Sequence, residues 1–288
     1  MSSTVEHRRS EARLRGFVRS GGCDLYYEAL GEGVPILLIH PAGATASTWG
    51  SVVEELSRIG RVISYDRRGY ARSGRKPARS ISAHTADAAA ILDSLQTRQA
   101  VVVGTSAGAA IAVDLAVRRP ALLRVVIAHE FPWRFARHRP SVSQVKALAE
   151  IGSLALLGRH ADAAETLLRS AYGDRDGRSS WDAFPEEWRR AARANARPAL
   201  ADFRNSIADY PSASDLATIR VPVVCTYGAR SPMSMIRLVE ALAAAIPTGT
   251  TRQIDGAGHA APFDATAGFV QVVAEAFAGA NGTMIRSG

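Results

Sequence analysis

The sequence of 288 residues contains only two cysteines, Cys23 and Cys225, and neither has a spacing typical of metal ligands. Cys225 lies inside an apolar, strand-like run and is expected to be a small buried side chain. We therefore expect no disulfide, as in proteins of a reducing compartment. The sequence also lacks an N-terminal apolar segment of the signal-peptide type and any run long enough to span a membrane. Both absences predict a cytoplasmic protein that does not contact membranes.

Lysine is also scarce, since Lys76 and Lys146 are the only two in the chain. Nearly all of the positive charge behind the formal net charge of +8 is therefore arginine. Those arginines are spread along the chain and no aromatic residues alternate with them, as a nucleic-acid-binding face would require. We expect no nucleic-acid partner. With 47% hydrophobic and 22% charged residues, the composition is that of a globular protein with an ample core.

Strand-like apolar runs alternate with helical patterns over residues 16–132 and again over residues 211–280. The segment Pro35-Ile-Leu-Leu-Ile-His40 is apolar up to its last residue, which is typical of a strand buried on both faces. This alternation predicts an α/β fold with a mostly parallel, doubly wound sheet as its core. Residues 1–15 are polar and rich in arginine, and they are predicted to form a disordered tail.

The alternation stops between residues 133 and 210. This stretch shows helical patterns only, at Val142–Leu157, Ala161–Tyr172, Pro185–Ala196 and Ala199–Ala208. Because the stretch follows the sixth predicted strand, it is expected to cover the carboxyl edge of the sheet as a helical lid.

One serine stands between a strand pattern and a helix pattern. Gly104-Thr-Ser106-Ala-Gly108 fits the G-x-S-x-G nucleophile elbow, in which a sharp turn exposes the serine hydroxyl at the end of a strand. Glycine has no Cβ, so the two flanking glycines permit the turn and allow neighbouring backbone to pass close. In this context Ser106 is predicted to be a nucleophile.

A serine nucleophile needs a general base, and seven histidines are available. His259 is favoured because it follows the last predicted strand in a Gly-Ala-Gly loop and comes last in the chain, as the base does in elbow enzymes. His40 ends a strand beside the next loop and is expected to brace that loop. His129 is expected to pack beside a strand end.

The acid that orients the base departs from the usual pattern. In Gly228-Ala-Arg-Ser231 a serine occupies the place where the Asp of a Gly-x-x-Asp pattern is usual, and serine carries no negative charge. Glu130, which comes directly after the sixth predicted strand, is therefore predicted to be the acid. Asp255 and Asp264 lie close to His259 in the sequence and remain alternatives.

The tetrahedral intermediate of acyl transfer also needs hydrogen-bond donors for its oxyanion. One backbone N–H is expected from Ala107, the residue after the nucleophile, and a second from Ala42 in the loop after the strand ending at His40. This constellation implies neither a metal nor an organic cofactor.

With Ser106, Glu130 and His259 in these positions, the chain resembles the α/β-hydrolase superfamily over roughly residues 16–279. The stretch from Asp66-Arg-Arg-Gly69 to Ser73-Gly74 is similar to a structural turn of that superfamily. The resemblance implies the α/β-hydrolase fold, with a core formed by residues 16–132 and 211–280 and a lid formed by residues 133–210.

More narrowly, the chain resembles the zearalenone lactone hydrolases. Their acid is a glutamate in a His-Glu-x-Pro segment like His129-Glu-Phe-Pro132, at the same interval of 24 residues after the serine. They also lack an Asp where Ser231 stands. Two positions differ, since those lactonases carry Asp where Pro41 stands and an aromatic residue where Ala260 follows the base. Both positions are expected to face the substrate, so these differences bear on the choice of substrate and leave the chemistry unchanged.

The resemblance and the aromatic lid together predict a serine hydrolase that cleaves a bulky, uncharged ester, with a lactone of the zearalenone type as the first candidate. The residues predicted to contact this small molecule are Pro41, Trp133, Trp188, Phe203 and Met235. The alternatives are another esterase or thioesterase, a ligand-binding protein, or an isomerase or cyclase of natural-product assembly. A homodimer is left open as the oligomeric state.

Overall fold

An eight-stranded sheet forms the centre of the protein in a computed structural model, which describes residues 13–131, 133 and 142–285. The strands are β1 (Leu14–Ser20), β2 (Cys23–Leu30), β3 (Pro35–Ile39), β4 (Arg61–Tyr65), β5 (Ala100–Thr105), β6 (Leu123–His129), β7 (Val223–Gly228) and β8 (Gly249–Ile254). Their order across the sheet is β1-β2-β4-β3-β5-β6-β7-β8. The hairpin β1–β2 and the pair β2–β4 are antiparallel, and the other neighbours are parallel.

The helices of the described residues are α1 (Ser51–Ser57), α2 (Ile81–Ser94), α3 (Ala107–Arg118), α4 (Val142–Leu156), α5 (His160–Ala171), α6 (Ser180–Ala183), α7 (Glu186–Ala194), α8 (Ala196–Ala208), α9 (Ala213–Leu216), α10 (Met233–Ala245), α11 (Ala261–Asp264) and α12 (Thr266–Ile285). Short 3₁₀ turns at Ala46–Trp49 and Pro120–Leu122 precede α1 and β6. In the part of the chain that the structure describes, no helix combines the length and the apolar character needed to cross a membrane.

Helices cover both faces of the sheet because its central strands are apolar on both faces. Along β3, Leu37 and Ile39 belong to a cluster that includes side chains of α2, α3 and α10. Ile36 and Leu38 point the other way, into a cluster that includes side chains of α1 and α12. All four side chains are fully buried, and a strand without a solvent face is apolar throughout. The prediction of a mostly parallel, doubly wound α/β sheet is confirmed.

The helical insertion after the sixth strand consists of α4 to α8, and α5 contacts α4, α6, α7 and α8. Two details differ from the helical patterns of the sequence. The short helix α6 is additional, and the Ser179 hydroxyl caps it by accepting a hydrogen bond from the N–H of Trp181. Helix α8 begins at Ala196, three residues early, because Pro198 falls in its first turn, where the missing N–H costs no helix hydrogen bond.

At both ends of the described chain, regular secondary structure continues past the predicted core boundaries at residues 16 and 280. The predicted tail was drawn to residue 15, but β1 begins at Leu14, which pairs with Ala29. The preceding Arg13 is held by ion pairs to Glu28 and Glu54 at 2.8 and 2.7 Å. Residues 1–12 of the predicted tail lie outside the described residues. At the other end, α12 continues five residues past the predicted boundary at 280, to Ile285.

Two glycines allow three backbone segments to meet where β5 ends and α3 begins. A Cβ on Gly104 would lie 2.2 Å from the carbonyl oxygen of Gly108. A Cβ on Gly108 would lie 2.0 Å from the carbonyl oxygen of Ile39, at the end of β3. Side-chain atoms do not approach backbone oxygens this closely, so only glycine fits at either position. As a result, the first turn of α3 lies directly against the end of β3.

The close approach at Gly108 predicts a large stability difference between two Gly→Ala substitutions. Gly108→Ala should destabilise the protein by about 3 kcal/mol or more, because the added methyl group forces the first turn of α3 away from β3. Gly152→Ala is the matched control, because Gly152 is exposed in α4 and a Cβ added there would meet nothing within 4 Å. It should stabilise the protein by about 1 kcal/mol through helix propensity. Urea unfolding measures both, and equal effects would contradict the close-packing argument.

Candidate active site

Ser106 occupies the sharp turn between β5 and α3. Its backbone is in a left-handed region, with φ of 52° and ψ of −117°, which is strained for a residue with a side chain. The N–H of Ser106 donates a hydrogen bond at 2.8 Å to the carbonyl oxygen of His129, the last residue of β6. This bond fixes the serine directly beside the strand end that carries Glu130.

Glu130 and His259 lie in direct contact. The Oε2 atom of Glu130 is 2.7 Å from Nδ1 of His259, and both side chains are buried. Glu130 also has a positive φ, of 48°, and its N–H donates to the carbonyl oxygen of Thr226 at 3.0 Å. This turn after β6 aims the carboxylate along the sheet edge toward the loop after β8, where His259 stands.

The second carboxylate oxygen of Glu130 is held by the end of β7. Its Oε1 atom accepts a hydrogen bond from the N–H of Gly228 at 2.9 Å and another from the hydroxyl of Ser231. Ser231 thus stands where the usual pattern places an aspartate, and here it donates to the relocated carboxylate. A carboxylate at position 231 would repel Glu130, so the serine and the glutamate form a matched pair.

These contacts set the charge state of Glu130. Burial by itself would raise the pKa of this carboxyl group. The hydrogen bond with His259, the nearby imidazole of His129 and the N–H of Gly228 together outweigh burial and lower the pKa to about 2. Glu130 therefore stays ionised throughout the neutral range and orients the Nδ1–H of His259 toward itself.

The two alternative acids lie elsewhere. Asp255 accepts a hydrogen bond from the side chain of Gln253 at 2.8 Å and is exposed. Asp264 accepts from the N–H of Gly258, the hydroxyl of Ser180 and the guanidinium of Arg230, each at 3.0 Å. Asp264 therefore supports the loop that precedes His259 and ties it to the lid.

His129 supports the same loop from below. Its Nδ1 atom is 2.9 Å from the hydroxyl oxygen of Thr226, and its Nε2 atom is 3.3 Å from the carbonyl oxygen of Gly258. Both distances fit an imidazole that donates from Nε2 and accepts at Nδ1. Sequence reasoning treated His129 only as a packed side chain. The available signal for this bracing role was that His129 directly precedes Glu130 in the sequence.

The two predicted oxyanion donors lie on adjoining backbone segments. Ala107 is the first residue of α3, and Gly108 beside it lies against the carbonyl groups of Ile39 and His40. Ala42 follows in the loop after β3 and lines the pocket above the strand ends. The close approach at Gly108 thus brings the N-terminus of α3 and this loop together.

The pocket over these strand ends is lined mainly by aromatic side chains. Its cavity volume is about 60 Å³, and His259, Ala42 and Thr105 are among its lining residues. Its aromatic residues are Trp49, Tyr172, Trp181, Phe184, Trp188 and Phe263. Among the described residues, no group of three or more His, Cys, Asp or Glu side chains is placed to hold a metal ion.

The aromatic rings form a connected wall. Phe184, Trp188 and Phe263 contact one another edge-to-face, with ring centroids 5.1 to 5.7 Å apart. The ring centroid of Tyr172 lies 5.4 Å from that of the His259 imidazole. Such rings give a large apolar surface with few internal degrees of freedom, which suits an apolar ligand of defined shape.

The five predicted substrate contacts divide into two groups. Pro41 and Trp188 line the pocket. The other three, Trp133, Phe203 and Met235, are not among the described residues that line it, and their contact with substrate stays a prediction. The indole N–H of Trp133 donates to the carbonyl oxygen of Pro211 at 3.1 Å, so its ring packs in the core beneath the lid.

The other two residues lie on helices α8 and α10. Phe203 follows Asp202 on α8, and Asp202 points into the core. Successive helical side chains point about 100° apart, so Phe203 faces elsewhere. Met235 lies in the first turn of α10, which packs against β7 and β8. Sequence reasoning also missed Tyr172 and Phe263, although Phe263 lies only four residues after His259.

Comparison with known proteins supports the fold described above. The model of the family described as alpha/beta hydrolase matches residues 36–272. The chain belongs to the alpha/beta hydrolase family. The match runs from β3 into α12 and therefore includes the elbow, the lid and the loop of His259.

The individual relatives of this alpha/beta hydrolase share about a quarter to a third of their residues with it over the aligned stretches. An uncharacterized hydrolase of Bacillus subtilis (strain 168), YraK, is 34% identical over 118 residues, which are 40% of this chain and 44% of that protein. The match thus spans less than half of that relative's length. Zearalenone hydrolase of Bionectria ochroleuca is 26% identical over 218 residues, 73% of this chain and 78% of that protein.

Among solved structures, Est816, described as an N-acyl homoserine lactone degrading enzyme, aligns with a TM-score of 0.73 at 24% identity. The alignment covers 90% of this chain and 99% of Est816, and it shows the shared fold.

The buried imidazoles around the site predict how stability depends on pH. Burial lowers the pKa of His40, His84 and His129, so the folded protein resists protonation of these groups. Below about pH 6.5 the unfolded chain binds more protons than the folded one, and stability must fall as the pH falls. Each imidazole contributes up to about 1.4 kcal/mol per pH unit. Urea unfolding between pH 7.5 and pH 5 should show this loss, and His129→Asn should reduce its slope. A free energy of unfolding independent of pH in this window would contradict the prediction.

Proposed function

We propose that the protein is a serine hydrolase that cleaves a carboxylic ester, and that its substrate is a bulky, hydrophobic lactone. The observation that carries the proposal is the contact of 2.7 Å between Glu130 Oε2 and His259 Nδ1, beside a serine in a strained elbow. Ser106 is the nucleophile, His259 the general base and Glu130 the acid that orients it. Membership of the alpha/beta hydrolase family supports this assignment.

The proposed reaction gives each of these groups one role. Glu130 holds the proton of His259 on Nδ1, which leaves Nε2 free to accept the proton of the Ser106 hydroxyl. The serine oxygen attacks the ester carbonyl, and the N–H groups of Ala42 and Ala107 stabilise the oxyanion that forms. The imidazolium then protonates the leaving alkoxide, and water hydrolyses the acyl-enzyme by the same steps in reverse order. In a lactone the alcohol stays attached to the acyl group, so the product is a single hydroxy acid.

The pocket supports an apolar substrate. Its lining is largely apolar and includes six aromatic side chains, which suits a hydrophobic ligand that contains rings. The alignment with zearalenone hydrolase over 73% of this chain supports a macrocyclic lactone as the first compound to test. Mycotoxin detoxification is the biological role that this substrate would imply.

A second candidate, an esterase or thioesterase for another substrate, is favoured by two pocket residues. Pro41 and Ala260 both line the pocket, and the lactonases that the chain resembles carry Asp and an aromatic residue at these positions. Tyr172 and Phe263 supply aromatic surface beside His259, so the pocket stays apolar but has a different shape.

The assignment of Glu130 predicts a strong and specific effect on turnover. Glu130→Gln should lower kcat by about 10³- to 10⁴-fold, because the amide no longer sets the imidazole tautomer. In the double variant Glu130→Ala with Ser231→Asp, a carboxylate returns at the end of β7 and should recover roughly tenfold or more over Glu130→Ala alone. Steady-state kinetics measure both. Asp255→Asn is the matched control and should leave kcat unchanged, so an equal loss in that variant would refute the assignment.

The proposed substrate class is tested by comparing three kinds of ester. We expect kcat/KM for a resorcylic macrolactone to exceed the values for short p-nitrophenyl esters and for acyl thioesters, because the lactone offers more apolar surface to the aromatic side chains of the pocket. Trp188→Ala should lower kcat/KM for the lactone by about tenfold and change that for the short esters little. Ser106→Ala should abolish turnover of all three.

Each outcome of this comparison has a separate meaning. A preference for short esters or thioesters would refute the lactone proposal and leave the general serine hydrolase. Labelling of a serine other than Ser106 by a fluorophosphonate, located by mass spectrometry, would refute the assigned nucleophile. Binding of the lactone without any turnover by the wild type would favour the ligand-binding alternative.

A further inference from the structure

A buried cluster of charged and polar side chains lies beside the oxyanion loop, which we define as residues 40–44. At its centre is Arg67, whose side chain is fully buried. Its Nη2 atom lies 2.7 Å from the carboxylate of Asp202, a residue of lid helix α8. Isolated buried charges are costly, so a fully buried arginine needs this partner. The proposed mechanism gives Arg67 no role.

The same guanidinium holds the first peptide group of the oxyanion loop. Nη2 of Arg67 donates to the carbonyl oxygen of Pro41 at 3.1 Å, and Nδ1 of His40 lies 2.8 Å from that oxygen. The backbone N–H of Arg67 in turn donates to Nε2 of His40 at 3.0 Å, so the imidazole is the tautomer protonated on Nδ1. Two side-chain donors therefore converge on one carbonyl oxygen.

The position of this oxygen determines the direction of a catalytic donor. The carbonyl group of Pro41 and the N–H of Ala42 belong to one peptide bond, and the described residues contain no cis peptide bond. In a planar trans peptide the C=O and N–H groups point in opposite directions. Holding the Pro41 oxygen toward Arg67 therefore points the Ala42 N–H away from Arg67, and Ala42 lines the pocket. A cation on the carbonyl also polarises the peptide group and strengthens its N–H as a donor.

Asp202 keeps Arg67 in place from the lid side. Its carboxylate also accepts a hydrogen bond from the hydroxyl of Tyr70 and lies 3.1 Å from Nε2 of His84. Burial alone would raise the pKa of Asp202, but Arg67 and His84 hold that pKa below its usual range. The carboxylate is therefore ionised and neutralises the guanidinium. Asp202 belongs to α8 and Arg67 to the core, so this buried ion pair joins the lid to the core.

We propose that Arg67, anchored by Asp202, is a positioning residue that orients the Ala42 N–H and thereby couples the seating of lid helix α8 to completion of the oxyanion hole. The inference rests on the proposed function, in which Ala42 is an oxyanion donor. Arg67 does not touch the reacting atoms in this account. It acts through the peptide group between Pro41 and Ala42.

Arg68, the residue directly after Arg67, provides a matched control. Arg68 forms a similar ion pair with Asp87 of α2, at 2.6 Å, and donates to the carbonyl oxygen of Ser20. Among the contacts of the described residues, those of Arg68 hold the turn after β4 to α2 and to the hairpin, and none reaches the oxyanion loop. Loss of Arg68 should therefore affect stability without affecting the oxyanion hole.

The experiment compares wild type, the double variant Arg67→Met with Asp202→Asn, Arg67→Lys and the control Arg68→Met. The double variant removes both charges and so leaves no lone buried ion that would prevent folding; thermal unfolding verifies the fold of each variant. The main readout is the second-order rate at which a fluorophosphonate labels Ser106, because phosphonylation also needs the oxyanion hole and requires no knowledge of the natural substrate. The second readout is kcat and KM for the best ester substrate.

We expect the double variant to lose about 10- to 100-fold in labelling rate and in kcat, with KM changed little, since loss of one whole oxyanion donor costs about 10²- to 10³-fold. Arg67→Lys keeps the charge and should recover part of that loss. Arg68→Met should unfold at a lower temperature and label at the wild-type rate.

Three outcomes would overturn the inference. The first is a folded double variant that labels and turns over at the wild-type rate, and the second is a loss confined to KM. The third is an equal loss of labelling in Arg68→Met, which would mean that the effect is general destabilisation. If wild-type Ser106 is labelled but no lactone is hydrolysed, the substrate proposal fails while the labelling rates still decide this inference. If wild-type Ser106 is not labelled, the proposed mechanism and the inference fail together.

Discussion

The site depends on one buried carboxylate, that of Glu130, which joins three neighbouring strand ends. Its backbone follows β6, one of its oxygens accepts from Gly228 and Ser231 at the end of β7, and the other contacts His259 after β8. A buried carboxylate without partners would take up a proton or destabilise the fold. Its hydrogen bonds therefore stabilise the protein and align the imidazole at the same time, so the geometry of the site and the stability of the sheet edge are linked.

The lid meets the core through two kinds of contact. Aromatic side chains form the pocket wall, which offers a ligand apolar surface. The lid also makes several directional contacts with the core, and two of them are the pair of Asp202 in α8 with Arg67 and the hydrogen bond from Ser180 of α6 to Asp264. Each of these two contacts adjoins a loop with a proposed catalytic role. The lid is therefore fixed where it meets the oxyanion loop and the loop of His259.

Local patterns in the sequence predicted much of the fold and part of the site. The doubly wound sheet follows from apolar runs such as Pro35–Ile39, and the elbow follows from glycines at 104 and 108 that no other residue can replace. The unusual serine at position 231 directed attention to Glu130, and the structure brings that residue against His259. The lid aromatics were less predictable. Trp133 and Trp188 look alike in the sequence, but only Trp188 lines the pocket.

The sequence by itself determined the order of strands and helices, the elbow and the absence of an aspartate after β7, because each depends on residues within one short segment. The tertiary structure alone decided which of Glu130, Asp255 and Asp264 meets the imidazole, since that depends on the turn of the chain after each strand. It alone paired Arg67 with Asp202 across 135 positions of the sequence. Such pairs form when the lid packs on the sheet, and the local sequence around a buried charge does not identify its partner.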